Sequence, residues 1–416
     1  MTGEAPSAAS KRSLWRDRDF VAFCLGQGVS MMGTQFTVVA LPLLATQTLH
    51  ADGTGLGLVQ GSVYAAYLVV PLLAGALVDR RAKRPLMIMC DSVRFLLVLS
   101  VPLLAWADML NLALLCLIAL VTGCCTVIFE VAHMAYVPAL VSRDRLAEAN
   151  SWTTSTEGAA DLFGPAAAGL VVQATKSPPV ALVVDAFSYL LSVFSLLTIR
   201  RREPEPEPAG DRTVLADIGE GLRYVAKERT IRSLAIQGFF FNGGSFAFLV
   251  AFLLHATQTQ EAGAGWYGAS LTAAGLGAFL GATQVPKLIE RYGERRVFAV
   301  SVVGSAVLFV IVPAASGSAV TMGVMWLVGF FLANIAVSMC NVLSYTLRQR
   351  VTPDNLLGRM SASVRLVLFA SIPVGSLAGG LISDSFGPRV ALFSAVAIMA
   401  LSIVPLRAIL PACRTT

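Results

Sequence analysis

The chain has 416 residues, 56% of them hydrophobic and only 13% charged, with a mean hydropathy of +0.72. A soluble core of this size cannot bury so much apolar side chain. The apolar runs are long and non-alternating, so the composition predicts a polytopic helical membrane protein and excludes a β-barrel. The formal net charge of +6 would suit a nucleic-acid or anionic partner, but the basic residues gather at every second turn. Membrane orientation explains that distribution, and no nucleic acid is needed.

A span needs about 20 mostly apolar residues, and by that criterion about twelve helices are expected, over 20–48, 54–78, 86–107, 112–137, 151–174, 180–199, 234–257, 267–289, 297–314, 320–347, 361–382 and 390–410. The segment before residue 20 is polar and basic. The apolar run after it is too long for a signal peptide and lacks a small-residue cleavage site, so it is expected to be a retained first helix. Basic residues at 11–18, 80–84, 143–145, 200–232, 291–296 and 348–359 fall on one side, against only Lys176 and Arg389 on the other. Both termini are therefore expected in the cytoplasm.

Between the second and third spans the run Gly75-Ala-Leu-Val-Asp79-Arg80-Arg81-Ala82-Lys83-Arg84-Pro85 forms a charge-dense turn that cannot enter hydrocarbon cheaply. Gly75 permits a close helix approach. Asp79 ends its helix where it could face the N-terminal end of helix 11 as a latch. Asp91 and Arg94, at i and i+3 on helix 3, read as an internal ion pair supporting this turn. With Gly75, Asp79, Arg80 and Arg84 they form the expected gating set.

Helix 5 carries small residues at Ser151, Ala160, Gly164, Pro165, Ala168 and Gly169. That rhythm lets helix backbones close on one another, and Gly164-Pro165 loosens the helix so that it can bend. Glu157 and Asp161 lie one turn apart on the same helix, and Glu130 lies in the part of helix 4 nearest the basic end, with His133 three residues on. Embedded carboxylates are costly and mark proton relays, so Glu130, Glu157 and Asp161 are the candidate proton-coupling residues. Arg365 on helix 11 is a possible partner, and Asp185 on helix 6 is assigned to packing.

The Pro-rich, charged stretch 200–212 marks a boundary. Leu215, Ile218, Leu222 and Val225 then recur at helical spacing, predicting an amphipathic helix at the membrane surface. Leu44-Ala-Thr-Gln-Thr48 returns as His255-Ala-Thr-Gln-Thr259, and Leu77-Val-Asp79-Arg80 as Leu288-Ile-Glu290-Arg291, both 211 positions on. Val141-Ser-Arg-Asp144-Arg-Leu146 aligns with Val351-Thr-Pro-Asp354-Asn-Leu356 at 210. The expected organisation is a six-helix bundle over 1–199, a linker with the amphipathic helix over 200–232, and a second six-helix bundle over 233–416.

The turn at 75–85 resembles the signature loop of the major facilitator superfamily, with Ala82 standing where that signature has glycine. Helix 5 resembles the glycine-rich motif of the superfamily's antiporters, with only some of the glycines retained. Ser30-x-x-Gly33, Ala40-Leu-Pro-Leu-Leu44, Val184-Asp185-Ala186-Phe187-Ser188 and Glu220-Gly-Leu-Arg-Tyr-Val225 add a resemblance to the branch with enterobactin exporters and macrolide efflux pumps. The resemblance implies an all-α fold of twelve membrane helices in two pseudo-repeats. It also implies export of a drug-like or siderophore-like molecule in exchange for protons across a bacterial cytoplasmic membrane. Helices 1, 4, 7 and 10 would then surround a cavity carrying Gln35, Asn242, Asn334 and Asn341, with Phe240 in the aromatic run 239–241.

A facilitator or importer of the same fold, or a non-transporting receptor, remains the alternative. No nucleophile elbow, zinc-protease motif or phosphate loop points to an enzyme. The seven cysteines lie mostly in apolar runs without metal-ligand spacing. A monomer with no metal or cofactor is expected, with a small solute, protons and the lipid bilayer as its partners.

Overall fold

The structure is a computed structural model describing residues 17–142, 145–201, 203, 214–258, 263–353 and 356–413. The side chains of Gly75, Asp79 and Arg80 lie outside the described set, and with them the expected Asp79 latch.

The described residues are almost entirely helical: α1 (Arg18–Gln47), α2 (Gly53–Arg80), α3 (Lys83–Trp106), α4 (Leu112–Leu140), α5 (Leu146–Thr175), α6 (Pro178–Thr198), α7 (Val214–Lys227), α8 (Arg229–Gln258) and α9 (Gly263–Tyr292). Helix α10 (Glu294–Val307) passes through a 3-10 turn into α11 (Ile311–Ala314), followed by α12 (Ala319–Val351) and α13 (Leu357–Phe386). Helix α14 (Pro388–Ala400) is extended by further 3-10 turns and α15 (Leu406–Ile409). Ten of the described helices are long and apolar enough to cross a membrane. Helices α5 and α9 have the same 30-residue length as α1 but are too polar to meet that criterion. Small residues replace Leu and Val along both, α5 also carries Glu157 and Asp161, and the two helices pack on each other. Large apolar side chains such as Leu96, Leu170, Val300 and Val404 point outward, as a lipid-facing surface requires. The chain is a multi-pass membrane protein.

The contacts between helices repeat along the chain. Helix α1 packs on α5 and α6, α2 on α4, and α3 on α4 and α6; likewise α8 packs on α13 and α14, α9 on α12, and α10 on α12 and α14. Two seams join the sets, α2 against α13 and α5 against α9. Both depend on missing side chains. Gly53, Gly57 and Gly61, at successive turns of α2, lie against the Gly380, Ser376 and Pro373 backbone of α13, while Gly268 of α9 lies against Gly169 and Pro165 of α5.

These close approaches lie toward the end opposite the basic loops, and one side chain reinforces them there. Asp384, near the end of α13, accepts from the Gly53 amide at 2.6 Å, the Thr54 amide at 2.7 Å and the Thr54 hydroxyl at 2.6 Å. A carboxylate at a helix N-terminus satisfies otherwise orphaned amides and meets the positive end of the helix dipole. Asp52 caps the same helix from its own chain segment through Gly55.

Helix α7 forms where the amphipathic spacing places it, but its described apolar side packs on protein. Val225 joins Ile231, Ala235, Met360 and Val364 in one cluster, and Glu220 pairs with Arg359 at 2.8 Å.

Candidate functional site

A cavity of about 880 Å³ opens between the helices toward the basic end. Tyr67 and Pro71 of α2, Glu130 and Met134 of α4, and Asn242 of α8 line it on one side. Asn341, Tyr345 and Arg348 of α12 face Arg359, Arg365 and Phe369 of α13 on the other. At its centre the Arg365 guanidinium donates to Glu130 at 2.7 Å, and the Tyr67 hydroxyl donates to the other Glu130 oxygen at 2.7 Å. Tyr67 stacks on Phe369 with ring centroids 4.6 Å apart, and Arg365 lies over both rings. Among the described ion pairs this is the one that joins α1–α6 to α8–α14. It is partly exposed to the cavity.

The other two candidate carboxylates sit on α5 nearby. Asp161 accepts from the Gln35 side chain of α1 at 2.6 Å, and its own backbone lies against Gly275 of α9. Glu157 is exposed one turn away, within electrostatic reach of Asp161 and Glu130. Gly164 packs directly on Gln35, so the small residues of α5 serve two contacts, with α1 and with α9.

Several expected placements change. Phe240 lies outside the cavity, in an apolar groove between α7 and α8 shared with Leu222, Val225 and Phe239. Consecutive residues point in different directions around a helix, and the groove beside α7 takes Phe239 and Phe240. Asn334 does not line the cavity; its side-chain amide donates to the Phe330 carbonyl of its own helix at 2.9 Å. Asn242 does line the cavity while donating to Gly238 in the same way, and Asn341 lines it too.

Asp91 and Arg94 pair, buried within the bundle. Asp91 also accepts from Ser192 of α6 at 2.6 Å, Ser192 accepts from Gln27 of α1 at 3.2 Å, and the Arg94 guanidinium lies between the Phe129 and Tyr189 rings. Asp185, fully buried, accepts from Thr37 of α1 and from Ser188. His133 turns away from Glu130 and stacks between Phe23 and Phe129. Arg84 donates to the Leu196 and Leu197 carbonyls at the end of α6 at 2.7 and 3.0 Å, a tie within one set of helices.

A profile of the transmembrane secretion effectors matches residues 10–415. The chain belongs to this family of major facilitator transporters. It is 26% identical over 367 residues to the multidrug efflux pump Tap of Mycolicibacterium fortuitum, covering 85% of this chain and 87% of the pump. It is 24% identical over 351 residues to the enterobactin exporter EntS of Salmonella typhi, covering 82% and 80%. The nucleoside transporter NupG superposes with a TM-score of 0.73 at 14% identity over 96% of this chain and 100% of that one. A bacterial homologue of the iron transporter ferroportin, in an inward-facing state, gives 0.73 at 15% identity over 95% and 99%. The chain is a transporter of this family rather than an enzyme.

Tyr67 and Asp384 are among the residues that sequence reasoning missed. Tyr67 follows Tyr64 by one turn on an otherwise aliphatic span, a faint signal. Asp384 reads as an ordinary polar residue at the end of a span.

Proposed function

We propose that the chain exports a small amphipathic organic compound from the bacterial cytoplasm by alternating access, in exchange for protons. The two six-helix halves, 1–199 and 233–416, would rock about the cavity as a monomer, joined by the linker at 200–232. The basic end faces the cytoplasm by the positive-inside bias, so the described state is open inward and closed outward.

The observation that carries this reading is the Glu130–Arg365 pair. It spans the two halves inside a water-accessible cavity, so its protonation state bears on their separation. A proton on Glu130 removes the charge that holds Arg365, and its loss restores the pair. Glu157 and Asp161 are the second candidate site, because Asp161 joins α1 to α5 at the α5–α9 seam. Asp384 would hold the outer end closed through α2 and must let go when the cavity opens outward. Gly75, Asp79, Arg80, Arg84, Gly164 and Pro165 complete the proposed gating set. Asp91 and Arg94, buried and paired with each other, would belong to the scaffold on which it moves.

The test is growth of a pump-deficient bacterial host expressing the protein against a compound panel, with and without a protonophore. Export predicts raised tolerance to at least one amphipathic compound, abolished by the protonophore. Tolerance that persists undiminished with the gradient collapsed contradicts proton exchange.

A further inference from the structure

The charges around the cavity are uneven, and one of them has no counter-ion. Arg365 is paired with Glu130 and Arg359 with Glu220 of α7. Arg348 has no carboxylate partner among the described residues; its Nε donates to the Ser344 carbonyl at 3.2 Å and its guanidinium lies 5.1 Å from the centre of the Tyr345 ring. Helix α12 runs toward the basic end, so Ser344 is one turn deeper than Arg348. The bond therefore folds the side chain back along the cavity wall, whereas an interfacial arginine would snorkel outward to water. Asn341 lines the same wall two turns deeper, with a neutral amide facing the cavity.

Building on the exporter reading, we infer that the cavity takes an organic anion with an aromatic or otherwise flat apolar body. Its acidic group binds Arg348, and its body lies against Tyr345 and toward Phe369. A guanidinium recognises carboxylate, sulfonate or phosphate oxygens through paired N–H donors, and it is most effective where water is scarce. A basic wall also concentrates anions at the mouth before they bind. The one carboxylate among the lining residues, Glu130, is already paired with Arg365, and Glu157 of α5 is not among them.

The experiment uses two xanthene dyes of similar ring system and opposite charge, fluorescein as the anion above neutral pH and rhodamine 6G as the cation. Their binding to the full-length protein purified in neutral detergent is followed by fluorescence anisotropy. Fluorescein should bind more tightly than rhodamine 6G. Arg348→Gln should weaken fluorescein binding about tenfold or more, as the loss of a charge-assisted hydrogen bond implies, and leave rhodamine 6G unweakened. Arg348→Lys should recover part of the loss, and Arg295→Gln, an exposed basic residue at the same end, should change nothing.

Should Arg348→Gln prove unfolded by thermal melting, Asn341→Ala and the salt dependence of wild-type binding replace it. Fluorescein affinity must then fall with added potassium chloride. Tighter binding of rhodamine 6G, binding of neither dye, or fluorescein binding indifferent to Arg348 and to salt overturns the inference. Efflux of rhodamine 6G from cells without fluorescein binding leaves the exporter reading standing and removes only the anion. Fluorescein binding by purified protein with no efflux of any panel compound does the reverse.

Discussion

The helices α1, α3 and α6 and their counterparts α8, α10 and α14, about 211 residues on, are held together by different chemistry. In the first set the interior is polar. Asp185 takes hydrogen bonds from Thr37 and Ser188, Thr34 bonds to Tyr189, and Asp91, Arg94, Ser192 and Gln27 form one chain. In the second set Ala395 stands for Asp185, Phe248 for Thr37, Val302 for Asp91 and Ser305 for Arg94. Phe248, Phe252, Phe309 and Phe330 fill that volume with tilted and edge-on ring contacts.

One trace of the shared plan remains. Ser245 reaches Met399 at 3.8 Å where Thr34 reaches Tyr189 at 3.2 Å. Gly244 makes room for Met399, while its counterpart Gly33 makes room for Ser188 and Asp185. The contrast separates two kinds of embedded charge. Asp91 and Asp185 are buried and hydrogen-bonded within the helix packing. Glu130 lines the cavity, and Glu157 and Asp161 sit at exposed positions on α5 outside its lining.

Four substitutions break or sharpen that contrast. Val302→Asp would place in the apolar set the carboxylate that the polar set carries, without a partner. Several kcal/mol of desolvation should follow, so folded protein should be lost in detergent size-exclusion profiles. Arg94→Met leaves Asp91 buried and uncompensated and should cost about 3–5 kcal/mol, whereas Asp91→Leu combined with Arg94→Met should recover most of it; thermal melting in detergent reads both. Tyr189→Met imports the residue of the second set, losing one intramembrane hydrogen bond and one ring beneath Arg94, about 1–2 kcal/mol together. Ser245→Ala removes only a weak contact to sulfur and should shift melting by no more than about 0.5 kcal/mol.

The spans were legible because apolar length is a coarse signal, and the start of α4 agrees with the expected residue. Helix α5 starts five residues before its expected start at 151, since Glu148 and Asn150 interrupt hydropathy without interrupting a helix. Glu130 and Arg365 stood out because a charge within a span needs a reason. Arg365 was expected as a possible partner, but which of the three carboxylates it meets was not readable, because that depends on how α4 and α13 face each other. Phe240 and Asn334 show the same limit from the other side, since residue type marked them and helix rotation removed them from the cavity. Asp384 escaped notice because its partners are backbone amides of a helix 330 positions away.

The central claim is that Glu130 couples the cavity to the proton gradient, and pH-driven transport in proteoliposomes tests it most directly. The substrate would be a compound identified by the growth panel, measured with wild type, Glu130→Gln, Glu157→Gln and Asp161→Asn. Glu130→Gln should still bind the compound and exchange it down its own gradient, yet fail to accumulate it against that gradient when a pH difference is imposed. The α5 variants should keep some accumulation. Uphill transport by Glu130→Gln at the wild-type level would contradict the account.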